Sequence, residues 1–153
     1  MSDRAQPGSC RCGAVSFEVR GAPLATFACH CTGCQRMTGG AYSLSSLYPR
    51  ERFQLTTGET ILGGLKGANR HHFCGSCLSW IYSVPEGFDA YANVRSSMLD
   101  NADEHRPYVD MFVSEALPGA QSGAPKQFET GPGEEEFGAL MGAYADWDGR
   151  VHA

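Results

Sequence analysis

The sequence predicts a small, mainly β domain of several antiparallel sheets, with a short helix towards its C-terminal end. Apolar and polar residues alternate over short segments, as at Val15, Phe17 and Val19, which share one face of a strand. Glycine, proline and asparagine separate these segments, as they do between strands. Leu, Ile, Val and Phe number only 27 among 153 residues, against 19 glycines. Apolar burial is therefore scarce, and the seven cysteines are candidates for a further source of stability.

The predicted strands follow one another at short intervals along the chain. Residues 57–59 are Thr-Gly-Glu and residues 85–87 are Pro-Glu-Gly, and we expect each to be a tight reversal between antiparallel neighbours. We expect one helical turn to begin after Cys34 and another to lie near Met98. The nine predicted strands cover residues 15–19, 27–31, 42–48, 53–56, 71–74, 80–84, 90–94, 109–113 and 127–129.

The composition changes after the domain that we assign to residues 1–130. Residues 131–153 begin with Gly-Pro-Gly-Glu-Glu-Glu, and such acidic residues suit the N-terminus of a helix. We expect this C-terminal extension to be helical and to pack on the body of the domain or on a second subunit of a homodimer. A dedicated partner-binding helix is the alternative. The apolar residues of the helix recur at helical spacing and share one face: Phe137, Leu140, Met141 and Tyr144.

Charge and apolar content exclude two classes of partner. The net charge is −5 and no run of Lys or Arg occurs, so the backbone of a nucleic acid is an unsuitable partner. No segment approaches the roughly 20 apolar residues of a membrane span, and residues 1–9 lack the apolar core of a secretory signal. We therefore expect a cytoplasmic protein. In a reducing compartment clustered cysteines are more often metal ligands than disulfides.

The cysteines form three groups of two, three and two members. Structural zinc prefers four protein ligands, whereas a reactive zinc ion keeps three and leaves one position open. Seven cysteines divide naturally into these two sets, which predicts two zinc ions per chain. The groups are Cys10-x-Cys12, Cys29-His30-Cys31-x-x-Cys34 and Cys74-x-x-Cys77.

The first and last groups predict a closed, structural site. Cys10 and Cys12, two residues apart, would point to the same face of a strand, and Cys74 and Cys77 would lie in a turn. Such a four-thiolate site would close the loop formed by residues 13–73. Metal ligands that close a long loop stabilise a fold well.

The middle group predicts an open site and is our candidate for catalysis. Cys29 and Cys31 would share one strand face and Cys34 would lie in the turn that follows, which points His30 to the opposite face and makes it a poor fourth ligand. Zinc held by three thiolates is still a Lewis acid that can bind a substrate thiol as its thiolate. Two alternatives stay open: cysteines that oxidise reversibly, and a second closed site completed by His71, His72 or His105.

Arg36 is a candidate substrate-binding residue because it follows the middle group closely. A guanidinium can hold a carboxylate through two hydrogen bonds, although an exposed arginine on a solvated turn explains the residue equally well. His71 and His72 precede the last group. One of them could donate a hydrogen bond to a zinc-bound thiolate, or both could simply occupy half-exposed strand positions.

Three segments resemble the family of glutathione-dependent formaldehyde-activating enzymes. They are GSCRCGAVSFEV at residues 8–19, CHCTGCQRMTGGAY at residues 29–42 and HHFCGSC at residues 71–77. The resemblance covers the order and spacing of all seven cysteines, the Gly-Ala-Val-x-Phe strand and an Arg-x-Thr-Gly sequence. Weaker similarity extends to about Phe128.

The resemblance implies a zinc-binding fold of coiled sheets called a β-tent, and a carbon–sulfur lyase activity. The family's reaction forms or breaks S-hydroxymethylglutathione, from formaldehyde and glutathione. Thr38 and Gly39, in the Arg-x-Thr-Gly sequence, join Arg36 as candidate substrate-binding residues. The resemblance also assigns the two zinc ions, the structural one to Cys10, Cys12, Cys74 and Cys77 and the catalytic one to Cys29, Cys31 and Cys34.

The chain departs from the family pattern outside the cysteines. Leu78, Ser79 and Trp80 follow Cys77, where the family usually has Gly-Thr or Gly-Ser, and Asp110 stands where a histidine is common. Substrate contacts come from loops outside the metal ligands. Two other functions therefore stay open beside the lyase: a zinc-scaffolded interaction module, and a carrier that holds glutathione without turnover.

Overall fold

The computed structural model describes residues 4–152, and within them the chain forms eleven β-strands and two α-helices. None of the helices in these residues is long and apolar enough to cross a membrane. The helices are α1 (Thr32–Thr38) and α2 (Glu134–Ala145), and short 3-10 helices lie at Arg50–Arg52, Ser96–Met98, Ala102–Glu104 and Val113–Glu115. The strands are β1 (Ala5–Ser9), β2 (Ser16–Arg20), β3 (Ala25–Cys29), β4 (Ser43–Pro49), β5 (Phe53–Thr57), β6 (Thr60–Gly63), β7 (Arg70–Cys74), β8 (Trp80–Val84), β9 (Tyr91–Arg95), β10 (Val109–Met111) and β11 (Lys126–Gln127).

The strands form two sheets. A small sheet has the order β1-β2-β5 and is antiparallel throughout. The large sheet has eight strands in the order β11-β10-β3-β4-β9-β8-β7-β6. Its pairs are antiparallel from β3 to β6, whereas β10 lies parallel to both β3 and β11. The predicted mainly β fold with several sheets and a short C-terminal helix is confirmed.

The structure corrects the predicted strands in two respects. The sequence pattern misses β1 and β6, because β1 contains Pro7 and Gly8 at the edge of its sheet and β6 has only four residues. Strand β10 lies parallel to its neighbours, not antiparallel as expected. The chain between β9 and β10 crosses over through two 3-10 helices instead of reversing in a hairpin. Side-chain alternation reports which face is buried but not the direction of a strand.

Residues 57–59 carry the chain from the small sheet to the large one. The expected reversal between antiparallel neighbours is wrong here, because β5 pairs with β2 while β6 pairs with β7. Gly58 has a φ of 76°, and a Cβ atom at this position would collide with the carbonyl oxygen of Ala14. Glycine therefore permits a close approach of the β1–β2 loop rather than a hairpin turn. Residues 85–87 do lie between antiparallel neighbours, β8 and β9.

An apolar cluster packs the small sheet against the middle of the large sheet. Its aromatic rings make up for the scarce aliphatic residues. The ring centroids of Phe17 and Phe53 are 5.5 Å apart, and those of Phe53 and Tyr82 are 4.4 Å apart. Cys10 and Cys74 belong to the same cluster, so two of the predicted metal ligands are also part of the core.

Helix α2 covers a second apolar cluster, which contains residues of β3 and β10. Leu140 and Tyr144 are buried, and Phe137 and Met141 are half-buried against the same cluster. The ring centroid of Phe137 lies 5.7 Å from that of Phe27. The face predicted from helical spacing is therefore the face that packs on the body of the protein.

A buried polar group links β4 to the segment before β10. The Oγ atom of Ser46 lies 2.9 Å from Oγ of Ser96 and 2.7 Å from Nδ1 of His105. His105 is only 3% exposed, and burial lowers the pKa of its imidazole to about 4. The ring is therefore neutral at pH 7 in the folded protein.

Leu140→Ala is expected to lower the free energy of unfolding by about 2–5 kcal/mol, because it leaves a cavity under α2. Urea unfolding followed by circular dichroism measures the difference. Ala139→Gln changes an exposed residue of the same helix and should alter stability by less than about 0.5 kcal/mol. Equal effects of the two substitutions would contradict the packing of α2 on the body.

His105 is expected to make the protein less stable as the pH falls from about 6.5 to about 4. In this window the unfolded imidazole binds a proton and the folded one does not, so stability rises with pH. His105→Asn keeps a polar partner for Ser46 but does not titrate. Urea unfolding of both proteins across this range isolates the contribution of His105, and identical pH profiles would refute it.

Candidate functional site

Four cysteines meet where the two sheets approach each other. Cys10 and Cys12 lie in the turn after β1, which is closed by a hydrogen bond of 3.1 Å from the Gly13 N–H to the Cys10 carbonyl. Cys74 is the last residue of β7, and Cys77 lies in the turn that follows. The expectation that Cys10 and Cys12 share a strand face is wrong, because β1 ends one residue earlier. The turn brings their sulfurs together instead.

The spacing of these sulfurs fits a tetrahedral metal site. The Sγ atoms of Cys10 and Cys12 are 3.7 Å apart, and those of Cys12 and Cys74 are 3.8 Å apart. A tetrahedron with metal–sulfur bonds of about 2.3 Å has edges of about 3.8 Å. All four Sγ atoms, including that of Cys77, lie within 4.8 Å of one another, and all four thiols are free.

Hydrogen-bond donors surround the four sulfurs. The Val15 N–H lies 3.3 Å from Sγ of Cys10, and the Cys77 N–H lies 3.5 Å from Sγ of Cys74. The hydroxyl and N–H of Ser79 lower the pKa of Cys77 to about 5. Such donors stabilise the thiolate, which is the form of cysteine that binds metals.

The other three cysteines, called the trio below, lie at the junction of β3 and α1. Cys29 ends β3, Cys31 is the N-cap of α1, and Cys34 lies in the first turn of α1. The Cys34 N–H donates to Sγ of Cys31 at 3.3 Å, and the three Sγ atoms lie within 4.8 Å of one another. The expected strand does not reach Cys31 and the helix does not start after Cys34, because α1 already begins at Thr32 and uses Cys31 as its cap.

No fourth His, Cys, Asp or Glu joins the trio within residues 4–152. The Nδ1 atom of His71 lies 2.7 Å from Oγ of Ser83, and that of His72 lies 2.8 Å from Oγ1 of Thr60. His105 contacts Ser46, as described above. The alternative of a closed second site completed by one of these histidines is therefore not formed. A metal ion held by the trio would keep an open coordination position.

The trio contains one acidic thiol and two that resist ionisation. Hydrogen bonds from Cys29, Ser43 and Cys31, together with the positive charge of Arg95, lower the pKa of Cys34 to about 5. The pKa of Cys29 is raised by its hydrogen bond to Cys34 and by burial, and that of Cys31 is raised by burial. Three such close thiols need a compensating cation before all can ionise. A metal ion has the charge that this donor set requires.

A cavity of about 140 Å³ lies beside the trio, with Cys29 and Cys34 in its wall. Arg95, at the end of β9, also lines it, and sequence reasoning missed this residue. The residue is only 5% exposed, and its guanidinium carbon lies 3.9 Å from the centroid of the Trp80 ring. Burial lowers the pKa of Arg95 to about 10, so it stays charged at pH 7. The sequence does contain a feature that points to Arg95: Asn93 and Arg95 are two polar residues on the same face of a strand.

His30 does not join the trio and points into the protein interior. It is 1% exposed, and its Nε2 atom lies 2.7 Å from Oδ1 of Asp110. The Ser122 hydroxyl donates to the same oxygen at 2.7 Å, and the His30 N–H donates to the Met111 carbonyl at 2.9 Å. Asp110 thus helps to fix the segment between Cys29 and Cys31 on β10.

The three predicted substrate-binding residues lie at the end of α1. Arg36 is exposed, Thr38 donates through Oγ1 to the Cys34 carbonyl at 2.8 Å, and Gly39 ends the helix with a φ of 67°. None of them lines the cavity beside the trio. Thr38 and Gly39 shape the helix that carries Cys34, and a role of all three in substrate binding stays a prediction.

Known proteins are similar to most of this chain. A family model described as glutathione-dependent formaldehyde-activating enzyme matches residues 5–115, a range that holds all seven cysteines. A relative from Halomonas elongata, whose name assigns it to the same family, is 31% identical over an aligned length of 111, and the match covers 63% of this chain and 69% of the relative.

A solved structure shares the fold. The crystal structure of a Rhodobacter sphaeroides protein superposes with a TM-score of 0.52 at 20% identity, over 61% of this chain and 87% of the other. At this identity the likeness concerns the fold alone. The family match covers most of the chain. The chain therefore belongs to the family of glutathione-dependent formaldehyde-activating enzymes.

Proposed function

We propose that this protein is a carbon–sulfur lyase that forms and breaks the bond between a small thiol such as glutathione and a small aldehyde such as formaldehyde. The observation that carries the proposal is the trio beside a cavity, without a fourth protein ligand among the described residues. Reactive zinc sites keep three protein ligands, and structural ones have four. The family match supports glutathione and formaldehyde as the substrates.

Zinc fits both cysteine groups, because cysteine thiolates are among its commonest ligands in either kind of site. At the trio, zinc would lower the pKa of an incoming thiol and hold its sulfur as a thiolate. The four-cysteine group would stabilise the fold without taking part in the reaction. We propose two ions per chain, one held by Cys10, Cys12, Cys74 and Cys77 and the other by Cys29, Cys31 and Cys34.

The residues of the trio would define where the two reactants meet. Cys29, Cys31 and Cys34 fix the position of the substrate sulfur, and the adjoining cavity receives the aldehyde. A sulfur lone pair attacks the carbonyl carbon, the C=O π pair moves to the oxygen, and the oxygen takes up the proton that the thiol released. Cleavage of the adduct reverses these steps. Holding both reactants side by side supplies the orientation that the reaction in water lacks.

The cavity has room for the reacting end of glutathione only. Its volume of about 140 Å³ is well below the roughly 300–1,000 Å³ of pockets that enclose a drug-sized ligand. The rest of the tripeptide would lie on the surface, where exposed Arg36 is our candidate for a contact with a carboxylate. We propose the cytoplasm as the compartment, since glutathione keeps thiols reduced there.

Two other functions were open from the sequence. An interaction module that uses α2 has less support, because α2 packs its apolar face on the body of the same chain. A carrier that holds glutathione without turnover would use the same site, and only a rate measurement separates it from an enzyme. A domain boundary at residue 130 and a homodimer stay predictions.

Cys31→Ser is expected to lower activity by at least about 100-fold while the fold is retained, because it removes one sulfur from the reaction site. Exchange between free and hydroxymethylated glutathione, followed by NMR, measures activity, and circular dichroism checks the fold. Cys74→Ser is the matched comparison and should unfold or strongly destabilise the protein, since its sulfur belongs to the structural site. Full activity of Cys31→Ser would refute the proposal.

Native mass spectrometry of the purified protein is expected to find two zinc ions per chain. Added glutathione should give an adduct in the wild-type protein, and Cys31→Ser should lose this adduct while keeping the structural zinc ion. A single zinc ion in the wild-type protein, or two ions without an adduct, would contradict the open site and favour the interaction module.

A further inference from the structure

Three buried polar atoms in the wall of the cavity have no partner of good hydrogen-bond geometry in the part of the chain that the structure describes. They are Nε of Arg95, Oδ1 of Asn93 and Oγ of Ser43, and all three residues line the cavity together with Cys29 and Cys34. Ser43 faces the Cys34 thiol, which leaves the atoms of Arg95 and Asn93 for a ligand. A buried donor or acceptor without a partner costs free energy. Unpaired polar atoms beside the proposed reaction site therefore indicate that a ligand supplies their missing hydrogen-bond partners.

Arg95 is held in place by its neighbours. Its guanidinium carbon lies 3.9 Å from the centroid of the Trp80 ring, and its Nη2 atom donates to the Asn93 carbonyl at 3.3 Å. The Trp80 ring is fixed in turn, because its N–H donates to Oγ of Ser83 at 2.9 Å. Ser83 also contacts His71 at 2.7 Å. The Nε–H of Arg95 is thus a donor that need not reorient when a ligand arrives.

The charge of Arg95 is balanced by the trio and not by a carboxylate. No Asp or Glu forms a salt bridge with it in residues 4–152, and Cys29 and Cys34 are its electrostatic partners. Before substrate binds, a divalent ion held by the three thiolates of the trio would leave one net negative charge, which the guanidinium would balance. A carboxylate ligand would add an unbalanced charge and would also face the acceptor oxygen of Asn93.

A hydroxyl group matches the atoms of Arg95 and Asn93. It accepts a hydrogen bond from Nε–H of Arg95 and donates one to Oδ1 of Asn93. We propose that Arg95 and Asn93 bind the oxygen of the aldehyde-derived group, first as a carbonyl and then as the hydroxyl of the thiol adduct. This inference rests on the proposed function, in which the trio holds the sulfur of the thiol. It adds the residues that would hold the oxygen of the aldehyde. The substrates are neutral aldehydes small enough for a cavity of about 140 Å³.

Arg95 would act as a catalytic residue through the charge that develops on this oxygen. When the thiolate sulfur bonds to the carbonyl carbon, the C=O π pair moves to the oxygen, which becomes an alkoxide beside the guanidinium. The alkoxide then takes the proton that the thiol released, and the new hydroxyl donates to Asn93. A hydrogen bond from a cation is stronger to an alkoxide than to a carbonyl, so Arg95 stabilises the transition state more than the ground state.

Two small thiols test the hydroxyl contact without any turnover. 2-Mercaptoethanol carries a hydroxyl group that ethanethiol lacks, and calorimetric titration of the zinc-loaded protein compares their affinities. The wild-type protein is expected to bind 2-mercaptoethanol about 10-fold more tightly or better, and Arg95→Met should remove this preference. Arg50→Met is the matched control, since the Arg50 guanidinium also lies near an aromatic ring, 5.5 Å from the Phe53 centroid, but does not line the cavity. It should keep the preference.

Rates of adduct formation give a second test of the role of Arg95. Arg95→Met is expected to lower kcat for adduct formation by about 10²–10³-fold, with unchanged zinc content and little change in the KM for glutathione. Arg95→Lys should recover part of the loss, because it keeps the positive charge. If Arg95→Met does not fold or does not bind zinc, Arg95→Lys takes its place as the test of the oxygen contact. Arg95→Lys should then show a weaker preference for 2-mercaptoethanol than the wild-type protein.

The outcomes separate this inference from the proposed function. Equal affinities of the wild-type protein for the two thiols, or an undiminished preference in the folded Arg95 variants, would overturn the oxygen subsite and leave the lyase proposal standing. Failure of the zinc-loaded wild-type protein to bind either thiol would overturn the proposed function and this inference together.

Discussion

The meeting of four cysteine sulfurs between the two sheets is the constraint on which the rest of this structure depends. Cys10 and Cys12 extend from the small sheet, and Cys74 and Cys77 extend from the large one. Their contact anchors both ends of residues 13–73, the segment that contains the trio. A chain with few aliphatic residues gains less from aliphatic burial, and Cys10 and Cys74 themselves belong to the apolar cluster between the sheets.

The two cysteine groups differ because of the backbone that carries them. The four-cysteine group comes from two separate turns, which can surround an ion from two sides. The trio comes from one strand end and the helix that follows, so its sulfurs approach an ion from one side. The cavity and the positive charge of Arg95 lie next to the trio. A group of four sulfurs and a group of three thus arise from the same residue type, and the proposed reaction uses only the group of three.

Much of the fold could be predicted from the sequence, where side-chain pattern and local structure agree. The predicted strand at residues 80–84 coincides with β8, and the predicted apolar face of α2 is the buried one. Prediction failed where local signals were weak or ambiguous. The alternation pattern misses β1 because its Pro7 and Gly8 are tolerated only at a sheet edge. It extends a strand to Cys31 because nothing in the alternation distinguishes a strand end from a helix cap.

The sequence by itself determined the three local groups of cysteines, because residues within a few positions of one another are constrained by local backbone geometry. It also determined the faces of the strands and of α2 through their periodicity. Only the tertiary structure decided what lies opposite the trio. Trp80, Asn93 and Arg95 reach the cavity because β8 and β9 lie in the same sheet as β3 and β4. The order of strands in a sheet depends on packing between distant segments, which no local pattern in the sequence records.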